Sequence, residues 1–305
     1  MSRILGIGEL LWDMLPTGPQ LGGAPANYSV MASRLGNEVS VLSRIGDDAL
    51  GKEALAVLKP FPVDCGQLQI DPSQPTGRVT VELNLGQPSY TIHQPVAWDF
   101  LEATAGWREA AGEADAVCFG SLAQRSERSR QAIHAIVKRT RKQCQRIFDV
   151  NLRAPFYSAQ IIRESLPLAS VVKMNDVEVP LVQEMLGIPV VGASSAGQLR
   201  AGAEGLLEKF PQLTLVAITR GGEGSLLVGH SGWDIHPGIQ VAVADTIGAG
   251  DAFTAAMTHY LLLGAPLKVL NEAGNRWGSY IASQPGATPS IESETFVRIN
   301  RDIEG

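Results

Sequence analysis

Short runs rich in Ile, Val and Leu recur along the chain at Ile4–Ile7, Val39–Ile45, Ala116–Phe119, Ile147–Val150, Val171–Met174 and Leu213–Thr219, separated by longer stretches of helical period. That alternation predicts an α/β fold, a mostly parallel sheet covered by helices on both faces. The clearest helices are expected over Ala24–Leu35, Arg128–Lys142, Ala196–Lys209 and Asp251–Leu263, each with apolar residues at three- and four-residue spacing. The last of these is apolar nearly all round, so it should be buried.

One region breaks the alternation. Gly77–Leu85 and Ser89–His93 have period two and are separated by Gly86, Gln87 and Pro88, which reads as a β-hairpin. Glu9–Leu15 has the same period, runs straight on from the first strand and ends at Pro16. Together these pieces predict a small sheet, too small to be stable alone, projecting from the main body. No internal repeat or low-complexity linker is visible.

With 45% hydrophobic and 18% charged residues, the 305-residue chain can bury a large core without disulfide or metal. One domain over 1–305 is expected, with the small sheet (about 9–20 and 77–95) inserted in it. The net charge of -6 comes from 31 acidic and 25 basic residues with no basic cluster, which argues against nucleic acid as a partner. Cys65, Cys118 and Cys144 are far apart and form no C-x-x-C pair, as expected of buried free thiols in a reducing compartment and not of a zinc site. Only Arg3 precedes a first apolar stretch that Glu9 and Asp13 interrupt, and no apolar run approaches the roughly 20 residues of a membrane span. A cytoplasmic location is expected.

The strongest local signal is Asp245-Thr246-Ile247-Gly248-Ala249-Gly250-Asp251, directly before the apolar helix. Small residues there let the backbone approach a ligand, and the free N–H groups at a helix start bind anions. Asp251, in the first turn beside that anion, is placed to accept a proton from an attacking hydroxyl, and the combination suits phosphoryl transfer. The competing reading is an ordinary glycine loop whose Asp favours the helix dipole.

The second signal is Gly22-Gly23-Ala24-Pro25-Ala26-Asn27, again before a helix. Its glycines would let a polyol lie against the backbone, Asn27 offers a donor and an acceptor, and Asp13 can accept two hydroxyl hydrogen bonds. A plain helix start with Pro25 in its first turn explains the same residues.

Gly46 to Lys52 has Walker A spacing, but Glu53 stands where Ser or Thr is needed and Asp47 and Asp48 would repel phosphate. Gly6-Ile7-Gly8 lacks the third glycine of a dinucleotide fingerprint. Asn175 with Glu178 resembles a capping box, and Thr219 to Gly224 reads as a turn between strands whose glycines can pack under a nucleotide. Asp149-Val150-Asn151-Leu152-Arg153 ends another strand. In open α/β sheets ligands gather at those carboxyl ends.

Taken together, these residues resemble the ribokinase-like (PfkB) carbohydrate kinase family over essentially the whole chain. Its N-terminal signature is matched by Gly22 to Ser29, continuing to Gly36 and Gly46, and its C-terminal one by Asp245 to Asp251, continuing to Ala255-Ala256. The resemblance implies a three-layer α/β/α domain with a small β-sheet lid. It also implies ATP and Mg2+ as cofactors, with Asp251 as base and Gly248, Ala249 and Gly250 as anion hole. It places Asp13, Gly22, Gly23 and Asn27 at the sugar. Asn175 and Glu178 would order magnesium and phosphate through water. Thr219, Gly221 and Gly224 match the nucleotide turn, and Asn275 lies where the family contacts adenine. Asp245, Ile247, Gly286 and Ser290 match positions around a monovalent cation, K+, in the ribokinases.

Within the family the chain is most similar to bacterial fructokinases, through Gly8-Glu9 with Asp13, the run from Pro75-Thr76-Gly77 to Ala97-Trp98-Asp99, Phe119-Gly120-Ser121-Leu122, and Asp149-x-Asn151-x-Arg153. Arg153 is expected either to pair with the transferring phosphate or to sit in a surface ion pair. D-fructose is the first substrate candidate. 2-Keto-3-deoxygluconate, ribose, a nucleoside, or a sugar-sensing protein without catalysis are the alternatives. A homodimer through the lid is the expected assembly.

Overall fold

The computed structural model describes residues 1–15, 18–84, 87–190 and 195–304. Fifteen strands occur among them: β1 (Arg3–Ile7), β2 (Leu11–Leu15), β3 (Gly18–Gly22), β4 (Glu38–Leu42), β5 (Arg44–Gly46), β6 (Val63–Asp64), β7 (Gln69–Asp71), β8 (Gly77–Asn84), β9 (Gln87–Ile92), β10 (Ala116–Gly120), β11 (Gln145–Asp149), β12 (Val171–Asn175), β13 (Leu215–Thr219), β14 (Ser225–Gly229) and β15 (Gly232–His236). Nine form one sheet in the order β15-β14-β13-β12-β11-β10-β1-β4-β6. It is parallel from β6 to β13 and antiparallel at β14 and β15.

Both faces of this sheet are covered, which is why its strands read as continuous apolar runs. Val117, Phe119, Phe148, Val172 and Val216 point to one side, where they pack with Trp107, Ile133, Ile162, Val182 and Leu206 of five helices. Ala116, Cys118, Ile147, Val171 and Ala217 point to the other, against helices Ala24–Arg34, Ala249–Leu262, Leu267–Ala282 and Ser293–Glu304. The α/β expectation holds. Helix Ala249–Leu262 is the innermost, with every residue from Ala252 to Thr258 buried.

Several expected boundaries move. Val39–Ile45 is two strands in different sheets, because the chain turns at buried Ser43, whose hydroxyl donates to the Gly8 carbonyl at 2.6 Å. The helix expected from Asp251 starts at Ala249, and the one expected over Arg128–Lys142 runs Glu127–Arg139. Gln87 and Pro88, expected between the hairpin strands, pair with Asn84 and Leu83 inside it. Cys118 and Cys144 are buried free thiols, whereas Cys65 is only partly buried.

The small sheet has the order β3-β2-β8-β9. It is held to the large one by close packing at its base. A Cβ on Gly77 would lie 2.3 Å from the Trp98 indole nitrogen, so no side chain fits there. Arg125 then clamps the exit of β9. Its guanidinium donates to both carboxylate oxygens of Asp99 at 2.8 Å and to the His93 carbonyl at 2.7 Å, and stacks 3.8 Å above the Trp98 ring. The Arg125 and Asp99 side chains are only 4% and 8% exposed. Removing one partner of a buried, bidentate pair leaves the other charge uncompensated. Arg125→Met is therefore expected to cost about 3–5 kcal/mol of stability, read from the urea midpoint, and Arg125→Lys to recover little, since an ammonium lacks the planar fork. An unchanged midpoint in Arg125→Met would show that the clamp adds nothing.

Candidate active site

At the carboxyl end of β1 the chain leaves toward β4 on one side and returns later to β10 on the other, and a crevice opens at such a switch of direction. A cavity of about 550 Å³ occupies it. Two helices begin there. Gly23 precedes helix Ala24–Arg34 with φ 106°, and a Cβ on it would come within 2.4 Å of the Glu9 carbonyl, so only glycine allows the loop to fold this tightly. Gly248, at φ 79°, precedes helix Ala249–Leu262 under similar crowding, with Ala287 2.7 Å from its missing Cβ. Between the two helix starts, the Asn27 amide donates to the Asp251 carboxylate at 2.8 Å.

Asp13, Gly23, Asn27, Arg153, Ile247, Gly248, Gly250 and Asp251 all line the cavity. Ala249 and Gly22 are not among its lining residues. The Ala249 amide is spent on the Thr246 carbonyl at 3.3 Å, while Gly22 makes room for Asp13, whose Oδ2 would lie 2.5 Å from a Cβ there. Asp13 stands on the small sheet in a cross-strand row Gln20–Asp13–Val79–Ile92, and Val79 and Ile92 form the apolar wall beside it. Arg153 is exposed at the rim and donates to its neighbour's carbonyl at 3.2 Å; among the described residues it makes no ion pair.

The charges in the crevice are mutually tuned. Burial pushes the Asp251 carboxyl up to about 6, helped by the nearby Asp149 charge and opposed by the Asn27 hydrogen bond, Lys173 and Arg153. Asp13 rises to about 6 chiefly through burial, against the pull of Arg153. Glu9 rises to about 7, again through burial first. Close to Asp251 lies Lys173, which the motifs did not single out. The Lys173 ammonium is buried and sits 3.2 Å from both Asp149 oxygens, and the Thr254 hydroxyl donates to Asp149 at 2.9 Å. Burial works to lower the Lys173 pKa, but Asp149, Glu178 and Asp251 outweigh it and hold it up. A lysine inside the apolar run Val171–Met174 is the signal that would have found this group, since such a charge is buried only when paired.

The remaining residues fall in two further groups. Asn175 and Glu178 satisfy one another: the Glu178 amide donates to Asn175 Oδ1 at 2.9 Å and the Asn175 amide to Glu178 Oε2 at 2.8 Å, while the other Glu178 oxygen takes the Leu152 amide at 2.6 Å. This is the reciprocal arrangement of a capping box, and it ties the segment after β11 to the end of β12. Thr219, Gly221 and Gly224 lie at the end of β13 and in the turn to β14, outside the cavity. Asn275 is buried under that turn, donating to Ser225 at 2.6 Å and to the Asn271 carbonyl at 2.8 Å. Asp245 joins two loops by accepting from the Ile247 amide at 3.0 Å and the Gly286 amide at 3.3 Å, and Ser290 is exposed on the second of them. The Walker-like segment is a helix start, with Asp48 capping the Gly51 amide at 2.8 Å and exposed Lys52 paired with Asp47.

Among the described residues no cluster of three or more His, Cys, Asp or Glu side chains is arranged to hold a metal ion, and no helix is long and apolar enough to cross a membrane.

The sequence profile of the pfkB family carbohydrate kinases matches residues 18–294. An uncharacterized sugar kinase from Pyrococcus horikoshii is 31% identical over 283 residues, covering 84% of this chain and 81% of that one. Its crystal structure superposes with a TM-score of 0.81 over 100% of both chains, and it has also been solved in complex with ATP. A fructokinase from Klebsiella pneumoniae is 30% identical over 269 residues, 84% of this chain and 83% of its own. The Vibrio cholerae O395 fructokinase, solved with fructose, ADP and calcium ion bound, is 26% identical and superposes with a TM-score of 0.77 over 94% and 95% of the two chains. With its three-layer fold, paired glycine loops and matching profile, the chain belongs to the pfkB family of carbohydrate kinases and is an ATP-dependent sugar kinase.

Proposed function

We propose that this kinase phosphorylates a free neutral ketose, D-fructose first, with Asp251 as the base that takes the proton of the acceptor hydroxyl. The observation that carries the reading is the position of Asp251 in the first turn of a buried helix, bonded to Asn27 of the other glycine loop at 2.8 Å and lining one cavity with Asp13. In this reading Asp13, Gly23 and Asn27 hold the sugar, with Gly22 making room for Asp13; Gly248 and Gly250 receive the transferring phosphoryl group, with Ala249 shaping that loop; and Arg153 at the rim compensates its charge. Fructose is favoured by the names of the relatives and by the cavity's own charge. Glu9, Asp13 and Asp251 already resist ionisation there, and Lys173 is committed to Asp149. A substrate with its own carboxylate, such as 2-keto-3-deoxygluconate, would add to that repulsion.

ATP would lie from the anion hole toward the turn of Thr219, Gly221 and Gly224, with Asn275 fixing that turn through Ser225. The donors near the triphosphate path, Asn175, Glu178 and Asp149, are all oxygen groups already holding protein hydrogen bonds. That suits Mg2+, which keeps its waters and is reached through them. K+ fits the two loops that Asp245 draws together, with Ile247, Gly286 and Ser290 around it. A cytoplasmic location and a homodimer through the outer face of the small sheet belong to the same reading, as does a single domain over 1–305.

ADP release across a panel of sugars tests the substrate. Fructose should exceed the no-sugar blank at saturation, and fructose at the blank level beside an active second sugar would remove it while leaving the enzyme class intact.

For Asp251→Asn, the amide keeps the size and the place in the helix, so the melting temperature and sugar affinity should hold while kcat falls at least about 10²-fold. With its pKa near 6, Asp251 is the competent base above that pH, and wild-type activity should fall as pH drops through about 6. A folded, sugar-binding Asn variant keeping more than about a tenth of wild-type kcat, against that minimum, would show that Asp251 is not the base.

The segment Gly77–Ile92 is expected to close over bound sugar, since excluding water protects ATP and completes the site. Its amide hydrogen exchange should slow when sugar is added, and unchanged exchange would argue against closure.

A further inference from the structure

Glu9 follows the carboxyl end of β1 and stands where the chain passes from the large sheet into the small one. It is 3% exposed, lines the cavity, and among the described residues its Oε2 has no hydrogen-bond partner. Buried carboxyl oxygens are almost always satisfied, because leaving one unmatched costs free energy that a solvated oxygen does not. The backbone amides of Glu9 and Ala24 face the same carboxyl, so a helix-capping duty explains one side of it. The free oxygen has no structural duty. Glu9 shares the cavity wall with Asp13 of the small sheet and Asp251 of the helix start, around the space that the proposed function assigns to the sugar.

We propose that Glu9 is a specificity-determining residue of the sugar site, its free Oε2 being completed by one particular hydroxyl of the bound substrate. The proposal rests on the sugar reading of the cavity. Glu9 then does for substrate choice what Asp251 does for chemistry: a sugar lacking that hydroxyl, or presenting an apolar group there, leaves a buried carboxyl unmatched and is rejected. The raised pKa of Glu9 agrees, since a carboxyl able to hold a proton can match a hydroxyl as donor or acceptor.

A cycle between protein and substrate tests this. Whichever sugar is turned over in the panel is compared with its singly deoxygenated analogues, for the wild type, Glu9→Gln and Glu9→Ala, with melting temperatures and the KM for ATP alongside. In the wild type one analogue should lose about tenfold or more in kcat/KM. In Glu9→Ala that same deletion should cost little further, while every other deletion costs what it costs the wild type, and the KM for ATP should hold. Glu9→Gln keeps the capping oxygen and puts an NH2 donor in place of the free one, so any change in the cost of deoxygenation should fall on that same hydroxyl alone, even if Glu9→Ala is poorly folded. Losses independent of which hydroxyl is removed would overturn the proposal and leave Glu9 a helix cap. If no sugar is turned over, the functional reading fails and the proposal with it, whereas turnover without coupling overturns the proposal alone.

Discussion

Everything at the site follows from one packing constraint, the meeting of two helix starts on the same side of β1. Helices Ala24–Arg34 and Ala249–Leu262 lie against each other across that face, and both begin at glycines too crowded to carry a Cβ. Residues 224 positions apart in sequence are thereby brought to 2.8 Å at Asn27 and Asp251. Both helices thereby open their N-terminal ends, the positive ends of their dipoles, toward one crevice.

That arrangement concentrates like charge, and the rest of the local structure answers it. Asp251, Glu9 and Asp13 are each pushed toward the protonated form by burial, with the Asp149 charge adding to the effect at Asp251. The response is Lys173, a buried ammonium in the middle of β12, whose attraction to Asp149, Glu178 and Asp251 exceeds its own desolvation. Thr254 completes Asp149, and Glu178 is satisfied by the amides of Leu152 and Asn175. β11, β12 and helix Ala249–Leu262 are thus fixed relative to each other by polar contacts as well as by the apolar core on either side. Such networks are stable only when every member is matched, and within this one the matching is nearly complete.

The parts of this molecule legible in its sequence were those with a period or a backbone demand. Parallel strands announce themselves as apolar runs, the hairpin by its period of two, and the site by two glycine loops that each precede a helix. Where tertiary packing overrides local pattern, reading failed. Ser43 looks like part of one strand because nothing local says that its hydroxyl will reach Gly8 and turn the chain. β3 carries too few apolar residues to declare itself, and is a strand because β2 offers it an edge. Gly250 looked like loop but belongs to the first turn, since helix boundaries depend on capping geometry that a string of small residues leaves open. Lys173 escapes motif reading for a related reason: its partners lie in another strand and in two helices, and spacing along the chain cannot show them. In the same way, Asn175 and Glu178 carry their capping role in their spacing, while the third bond, to Leu152, becomes visible only in three dimensions.

Asn27 shows what this geometry does to the usual division of labour in an enzyme. It lines the cavity that we assign to the sugar, yet its amide is also one of the groups that hold the Asp251 carboxyl down. In the proposed site a change at this single position would alter both how tightly the acceptor is held and how readily the Asp251 carboxylate takes its proton. Sorting residues into those that govern affinity and those that govern turnover therefore has no meaning at Asn27. On that reading, evolution of a new substrate preference that passes through Asn27 would retune the base in the same step.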